Sequence, residues 1–336
     1  MVTVARDEPM LEIRGLRVDL QTRKGPLRVL DDISLEVGRS EVLGVVGESG
    51  AGKSMTGAAV NGLLPAAVAI AGGEIRVNGR RVDNLPADDL RKMRGREVGT
   101  IFQDPMTSLN PLFRVGDQLV ETMRAHLPMS RDAAWRRGVE LLTEVGIAEP
   151  EQRMRHYPHQ FSGGMRQRVV IALALCANPS LIIADEPTTA LDVSVQSQIL
   201  RLLKRLSAEH GTAIMLITHD MGVIAEMADR VAVLYAGRIA EVGPVGEVLQ
   251  RPGHPYTEGL MGSIPKMGSG VPRLTQISGS MPRLGEVVPD SCPFVNRCNV
   301  SLAVCSKARP PDFEFGASTV ACWRHEAAQC RAASNE

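Results

Sequence analysis

Aromatic residues and net charge are both scarce in this chain. Phe, Trp and Tyr make up 3% of its 336 residues, and 38 Lys and Arg residues balance 38 Asp and Glu residues. Single-strand nucleic-acid binders need aromatic stacking platforms, and duplex binders need a broadly basic surface. The composition therefore argues against a protein whose partner is a nucleic acid.

Long apolar runs are also missing. The longest, near Val169–Ala177, has about half of the roughly 18 residues that a membrane-crossing helix needs. Arg6, Asp7 and Glu8 precede any apolar stretch, so no secretory signal is visible. We expect a cytoplasmic protein, long enough for one large and one small domain.

The first third of the chain has the alternating pattern of strands. Apolar residues recur at alternate positions over Leu11–Leu20 and Leu27–Val37, and Glu41–Val46 is a short apolar strand. Asn78-Gly79 is typical of a hairpin turn. From about Pro105 to Asn178 the pattern becomes helical, which predicts a helical subdomain.

Strands and helices then alternate. Strands are predicted over Leu181–Ala184, Ala213–Thr218 and Val231–Tyr235, and helices over Gln196–Leu206 and Met221–Ala228. This order favours an α/β fold with a parallel sheet covered by helices. Beyond residue 251 periodicity fades and Pro, Gly and Ser become frequent, so we predict a domain over residues 1–250 and a C-terminal extension over residues 251–336.

A phosphate-binding pattern follows the third predicted strand. Gly47–Ser54 fits G-x-x-x-x-G-K-[ST], and it lies between a strand and a helix as such a loop requires. Its backbone N–H groups and the helix N-terminus would surround an anion. Lys53 would contact the β- and γ-phosphates, and the Ser54 hydroxyl would ligate Mg²⁺. The predicted nucleotide-binding set is Gly47, Ser49, Gly50, Ala51, Gly52, Lys53, Ser54 and Met55.

Two carboxylates end the next buried strand. Asp185 would lie at the carboxyl end of Leu181–Ala184, beside the phosphate loop, where it can hold Mg²⁺. Glu186 could polarise the attacking water as a general base. The chain lacks the Asn-Lys-x-Asp pattern that reads guanine, so ATP is favoured over GTP.

A second anion site is predicted about twenty residues upstream. Ser162-Gly163-Gly164 forms a turn that opens an apolar helix. Taken alone this turn is a plain helix cap. In combination with the phosphate loop and the paired carboxylates, it resembles the signature of the ATP-binding subunits of ABC transporters.

The resemblance covers about residues 10–250, with the family's motifs in the family's order. Gly47–Ser54 is similar to the Walker A loop, Gln103 to the Q-loop glutamine, and Asp185-Glu186 to the end of Walker B. Ala190-Leu191-Asp192 resembles the D-loop, and His219 the switch histidine. The resemblance implies a RecA-like core and an antiparallel β subdomain. It also implies roles in hydrolysis for Glu186, His219, Gln103 and Lys53.

The resemblance also implies further ligands and partners. Gln103 would join Ser54 and Asp185 at Mg²⁺, and Ser162, Gly163 and Gly164 would contact ATP held by a second cassette. The expected assembly contains that second ATPase subunit, a paralogue, and two transmembrane permease subunits at the cytoplasmic face of the inner membrane. An extracytoplasmic peptide-binding protein would act with it indirectly.

The chain departs from the family pattern at two places. The signature has Phe161 and Met165 where many members have Leu and Gln. No aromatic residue that could stack on adenine occurs between Arg17 and Leu30.

Finer features resemble the oligopeptide/dipeptide permease ATPases, which implies peptide import driven by ATP hydrolysis. They are Val46–Gly50, Gln103–Pro111, Gly253–Thr257 and the tail that begins Cys292-Pro293-Phe294. Three alternatives remain: an importer ATPase for nickel or another small solute, a soluble ABC ATPase without a transport role, and a module that binds ATP without turnover.

Cysteines are concentrated near the C-terminus. Five and six residues separate Cys292, Cys298 and Cys305, sixteen lead to Cys322, and Cys330 lies eight positions beyond. The spacing fits neither the C-x₂₋₄-C pairs of zinc sites nor the common ferredoxin patterns. The resemblance implies a [4Fe–4S] cluster held by Cys292, Cys298, Cys305 and Cys322, with Cys330 free. Zinc and no metal remain alternatives.

Overall fold

The computed structural model describes residues 8–189, 191–263 and 276–326. Within them the chain forms twelve strands and eleven α-helices. The strands are β1 (Leu11–Thr22), β2 (Gly25–Val37), β3 (Val42–Val46), β4 (Val68–Val77), β5 (Arg80–Arg81), β6 (Val98–Ile101), β7 (Leu181–Asp185), β8 (Ala213–Ile217), β9 (Arg230–Tyr235), β10 (Arg238–Pro244), β11 (Phe313–Phe315) and β12 (Ser318–Val320). The helices are α1 (Lys53–Val60), α2 (Ala87–Met93), α3 (Pro105–Ser108), α4 (Val115–His126), α5 (Arg131–Glu144), α6 (Pro150–Arg153), α7 (Gly163–Leu175), α8 (Val193–His210), α9 (Met221–Met227), α10 (Val245–Gln250) and α11 (Pro255–Gly262).

The larger sheet has the strand order β11-β12-β10-β9-β3-β8-β7-β6. Strands β6, β7, β8, β3 and β9 run parallel, and β10 returns antiparallel to β9. Strands β3 and β8 are buried along their whole length, as expected for a parallel sheet covered on both faces. The loops after β3, β7 and β8 therefore open at one edge, where ligands bind in such sheets.

The smaller sheet is antiparallel, with the order β2-β1-β4-β5. Its apolar side chains pack against one face of the larger sheet and against α1, around buried residues such as Leu16, Leu43 and Ile183. The opposite face of the larger sheet packs against helices α7, α8 and α9. This two-sided burial fixes the position of the phosphate loop between the sheets.

Helices α3 to α7 follow one another between Pro105 and Leu175 without an intervening strand. Helix α4 has an apolar stripe of Val115, Leu119 and Met123 that is fully buried, while its other side is polar. The predicted helical segment therefore coincides with a run of packed helices. Its independence as a subdomain stays a prediction.

Residues 276–326, which we call the C-terminal lobe, contain short 3-10 turns and the β11–β12 hairpin. Strand β12 pairs with β10 through Glu241–Val320 and Val242–Thr319. The lobe thus extends the larger sheet across the boundary predicted near residue 251, and that boundary stays a prediction.

The predicted α/β class is confirmed, and most predicted strands agree with the structure to within two residues. The sequence pattern missed β6, β10, β11 and β12. In the described part of the chain, no helix combines the length and apolarity needed to cross a bilayer.

Candidate nucleotide site

The phosphate loop, Gly47–Ser54, connects the buried strand β3 to helix α1. Gly47 has φ +149°, and a Cβ there would collide with the Leu234 carbonyl oxygen. Gly52 has φ +106°, and a Cβ there would lie 2.6 Å from Leu30 Cδ2. Only glycine satisfies both the backbone angle and the close packing at these two positions.

Residues of the loop and of the first turn of α1 differ in their exposure to solvent. Ala51 is fully buried and donates its N–H to the Glu48 carbonyl over 3.1 Å. Ser49 and Gly50 are exposed, and Met55 is half-buried against the apolar core between the two sheets.

Lys53 closes the loop from within. Its side chain is buried, and its Nζ donates to the carbonyl oxygens of Gly47 at 2.8 Å and Glu48 at 3.0 Å. Burial lowers the pKa of the Lys53 ammonium, despite the nearby carboxylates of Glu186, Asp185 and Glu48. The ammonium therefore faces the centre of the loop, where backbone carbonyls hold it.

Ser54 and Asp185 come together from separate elements. The Ser54 hydroxyl, in the first turn of α1, donates a 3.0 Å hydrogen bond to Asp185 Oδ1 at the end of β7. Burial raises the pKa of the Asp185 carboxyl, and the neighbouring charge of Glu186 acts in the same direction. Two hard oxygen donors thus lie side by side, which is the chemistry that Mg²⁺ prefers.

Glu186 is held by three side chains from three loops. Its Oε1 lies 2.9 Å from His219 Nδ1, and its Oε2 accepts from Thr189 Oγ1 at 2.9 Å and from Gln103 Nε2 at 3.0 Å. Burial acts to raise the pKa of this carboxyl, but the hydrogen bonds from His219 and Thr189 bring it below its usual value. The Glu186 carboxylate is therefore kept ionised, and it is surrounded by polar partners.

Backbone geometry also sets Glu186 apart. It has φ +46°, a left-handed conformation that is uncommon for residues other than glycine. Its N–H donates to the Ile217 carbonyl at the end of β8, which fixes this conformation. Such local strain is often found at functional sites.

The signature turn, Ser162–Gly164, lies at the start of α7. Ser162 is the N-cap, and its hydroxyl accepts the Met165 N–H over 3.3 Å. A Cβ at Gly164 would lie 2.7 Å from Val195 Cγ1, so this glycine also allows α7 to pack against α8. Phe161 is buried, whereas Ser162 and Gly163 are exposed and free to meet a ligand.

The predicted D-loop is described only in part. Ala190 lies outside the described residues. Leu191 is half-buried beside Gly163, and Asp192 caps α8 by accepting the Val195 N–H at 3.0 Å.

Sequence reasoning missed three residues that hold this site. Thr189 binds Glu186, and Tyr256 and Arg297 both contact Glu48 of the phosphate loop. Gly253–Thr257 was identified only as a subgroup feature. The buried hydroxyl of Tyr256 could have been suspected, because a buried Tyr O–H usually has a polar partner.

The four cysteines predicted as cluster ligands lie around one small cavity in the C-terminal lobe. Cys292, Cys305 and Cys322 are buried, Cys298 is half-buried, and none of them forms a disulfide. Burial and the nearby thiols raise the pKa of Cys292 to about 11. Among the residues that the structure describes, no group of three or more His, Cys, Asp or Glu side chains is arranged to hold a single metal ion. Cys330 lies outside the described residues.

Comparison with known families gives the geometry a context. The model of the ABC transporter family matches residues 30–189, which include the phosphate loop, the signature turn and Asp185-Glu186. A model of the C-terminal region of oligopeptide/dipeptide transporters matches residues 240–305. The chain is 44% identical over 318 residues to the dipeptide transport ATP-binding protein DppD of Bacillus subtilis, covering 94% of this chain and 95% of that protein. The chain belongs to the ABC transporter ATPases.

A second relative supports the same family assignment. The oligopeptide transport ATP-binding protein OppD of Escherichia coli is 46% identical over 308 residues, which cover 92% of this ABC ATPase and 90% of that protein. Within the family, the chain therefore falls among the ATP-binding subunits of the oligopeptide/dipeptide branch.

Solved cassettes share the fold of this ABC ATPase. A dimeric, post-hydrolysis structure of the ATP-binding cassette MJ0796 bound to ADP and Pi matches with a TM-score of 0.63 and 28% identity, over 70% of this chain and 99% of that one. The cassette cbiO1 of Clostridium perfringens, part of the transporter complex cbiONQ, matches with a TM-score of 0.63 over 73% and 92%. The expected RecA-like cassette with an antiparallel sheet and a helical part is thereby confirmed.

Proposed function

We propose that this chain is the ATP-hydrolysing subunit that powers import of dipeptides or oligopeptides through partner membrane permease subunits. The observation that supports this most is the similarity to DppD and OppD over more than nine-tenths of this chain, including its C-terminal region. The assembly would hold two permease subunits and would receive peptide from an extracytoplasmic binding protein. It would lie at the cytoplasmic face of the inner membrane.

In this proposal Glu186 is the general base of hydrolysis. Its low pKa keeps it ionised, and its contacts with His219, Thr189 and Gln103 orient it. His219 and Gln103 would stabilise and orient the attacking water together with Glu186.

Lys53 and the loop N–H groups would bind the phosphates of ATP. Ser54 and Asp185 fit Mg²⁺ because their oxygens are already adjacent, and Gln103 would reach the same ion through its amide oxygen. When bound, Mg²⁺ would neutralise phosphate charge that would otherwise oppose the half-buried Asp185 carboxylate.

We assign Ser162, Gly163 and Gly164 to the ATP of a second cassette. The turn caps α7 and packs near Leu191 and Val195, on elements other than those that carry the phosphate loop. Two cassettes related in this way would enclose ATP between them, so nucleotide state would control their separation. From the resemblance to peptide permease ATPases, we expect a paralogous partner.

The surface beside Gln103 supports docking to a membrane subunit. Phe102, Met106, Leu112 and Phe113 are all more than half exposed, and Leu112 reaches 80%. Such a group of exposed apolar side chains is typical of an interaction site. Its place next to Gln103 would connect the transmembrane subunits with the Glu186 site.

A direct test reconstitutes this chain with its permease subunits in membranes. We expect ATP hydrolysis to rise when the binding protein is added with a dipeptide or an oligopeptide. Stimulation by nickel or another small solute, and not by peptides, would replace the proposed substrate. Equal hydrolysis with and without permease subunits would contradict a transport role.

For the cysteines of the C-terminal lobe we propose a [4Fe–4S] cluster. The donor set fits, because four unpaired thiols line one cavity. A zinc ion needs all four sulfurs about 2.3 Å from one point, and the described side chains offer no such single-ion arrangement. In a [4Fe–4S] cluster each thiolate would bind a different iron. The cluster would cross-link a lobe with little apolar core.

Anaerobic purification followed by iron, sulfide and zinc analysis tests this proposal. We expect iron and sulfide in equal amounts, and their loss when Cys305 is replaced by Ser. Zinc without iron would favour the alternative ion. Absence of both, with freely alkylated thiols in native protein, would exclude a metal.

A further inference from the structure

The C-terminal lobe contacts the phosphate loop through one ion pair. Arg297 Nη1 donates to Glu48 Oε2 at 3.0 Å, and its Nη2 donates to Glu48 Oε1 at 3.1 Å. The two residues are 249 positions apart, and the Arg297 side chain is only 8% exposed. Two parallel charge-assisted bonds of this kind fix orientation as well as distance.

Arg297 is itself held in place by its surroundings. Its Nε donates to the Ser278 carbonyl at 2.8 Å, and its Nη1 lies 3.4 Å from the Tyr235 hydroxyl. The guanidinium also lies over the rings of Tyr235 and Phe294, 5.7 Å and 6.0 Å from their centroids. A guanidinium fixed in this way loses little further freedom when it binds Glu48.

Two further hydrogen bonds hold the backbone of Glu48. Its N–H donates to the hydroxyl of the buried Tyr256 at 2.9 Å, and its carbonyl accepts from Lys53 Nζ at 3.0 Å. Residue Glu48 therefore connects Arg297 to the lysine that faces the phosphates. Arg297 directly precedes Cys298, one of the four thiols around the lobe's cavity.

We propose that Arg297 is a positioning residue for ATP binding, acting through Glu48 on the phosphate loop. The pair holds the loop in its anion-binding shape before nucleotide arrives, so that ATP does not have to order it. ATP affinity then depends on the fold of the C-terminal lobe. This inference concerns nucleotide binding alone and holds whichever solute is transported.

The test compares Arg297→Met with Arg309→Met in the full-length chain. Arg309 is in the same lobe, but its ion-pair partners are Asp31 and Asp32 of β2 and not a residue of the phosphate loop. We expect Arg297→Met to weaken binding of a fluorescent ATP analogue and to raise the KM for ATP by about tenfold. The kcat at saturating ATP should stay within about twofold of that of the unsubstituted protein. Arg309→Met should leave affinity and KM unchanged.

A second variant approaches the pair from the loop side. Glu48→Gln removes the negative partner of the same pair without altering the interior of the lobe, so it remains informative if Arg297→Met does not fold. We expect Glu48→Gln and the double variant to weaken binding to the same extent, because the two residues act as a unit. Native affinity in Glu48→Gln, or equal losses in Arg297→Met and Arg309→Met, would overturn the proposal.

Discussion

His219 Nδ1 lies 2.9 Å from Glu186 Oε1, although 33 positions separate the two residues in the chain. The contact follows from the parallel pairing of β7 with β8, which brings Asp185 opposite Ile217 and the two following loops side by side. The His219 side chain is 61% exposed, while that of Glu186 is 17% exposed. The histidine thus covers the carboxylate from the solvent side.

Replacing Glu186 by Gln should abolish most ATP hydrolysis and preserve ATP binding. The amide keeps the size of the side chain and its contacts with Thr189, but it cannot accept a proton from water, so we expect a loss of about 10²- to 10⁴-fold in kcat. Single-turnover hydrolysis and nucleotide affinity measure the two effects separately. Near-normal turnover would remove Glu186 from the mechanism.

Lys53→Ala should instead weaken nucleotide binding. The change removes the charge that faces the phosphates and also two hydrogen bonds to the loop carbonyls of Gly47 and Glu48. The exposed Lys204 of α8 provides the matched control, since its Nζ donates to the Glu226 carbonyl and not to the phosphate loop. Titration with a fluorescent ATP analogue should show a loss only for Lys53→Ala, and equal affinities in both variants would contradict the assignment.

Two glycine-to-alanine changes should have opposite outcomes. Gly47 has φ +149°, and a Cβ added there would collide with the Leu234 carbonyl oxygen. A Cβ added at Gly246, in α10, would have no atom within 4 Å. We expect Gly47→Ala to lower the free energy of unfolding by about 1–3 kcal/mol, and Gly246→Ala to leave it unchanged or raise it by up to about 1 kcal/mol. Urea unfolding of both variants checks this, and a neutral Gly47→Ala would show that the loop can move away from Leu234.

Acid should destabilise the protein through His254. This N-cap of α11 is buried, its backbone N–H binds Glu241, and burial together with the charge of His325 lowers its pKa from 6.5 to about 3. Between those values the unfolded chain binds a proton that the folded chain does not, so stability is present above pH 6.5 and falls as the pH decreases. For one proton the slope is at most about 1.4 kcal/mol per pH unit.

His254→Asn should retain the cap and remove this titration. Asn accepts the Tyr256 N–H as His254 Nδ1 does, but it has no proton to gain. We expect a lower overall stability, because Asn is smaller, and a shallower fall in the free energy of unfolding between pH 6.5 and pH 4. An unchanged slope would mean that another group dominates acid unfolding.

A photo-crosslinking side chain at position 112 should capture a permease subunit. Leu112, in the segment that follows Gln103, is 80% exposed, whereas Leu109 of the same segment is 2% exposed and unsuitable as a probe. Leu63, exposed after α1, serves as the control position. Equal capture from both positions, or none from position 112, would argue against docking at this surface.

The sequence predicted the parts of the site that local motifs encode. The phosphate loop, Asp185-Glu186 and His219 each directly follow an apolar strand, and strand ends in a parallel sheet converge on one edge. The contacts of Glu48 with Arg297 and Tyr256 could not be predicted, because they join residues more than 200 positions apart through packing that leaves no local pattern. Strands β11 and β12 were missed since three-residue strands are too short to show alternation.

Strand β12 covers the edge of β10, but it is synthesised later than β10, and this order has a consequence for folding. The ribosome releases residues 318–320 well after β10, yet they pair with β10 at Glu241 and Val242. Until then the nascent chain carries an open sheet edge, whose unpaired N–H and C=O groups can recruit a strand from another chain. Fragments that stop after β10 should therefore aggregate during expression, and chaperones that bind exposed edges should be needed most before residues 318–320 have been synthesised.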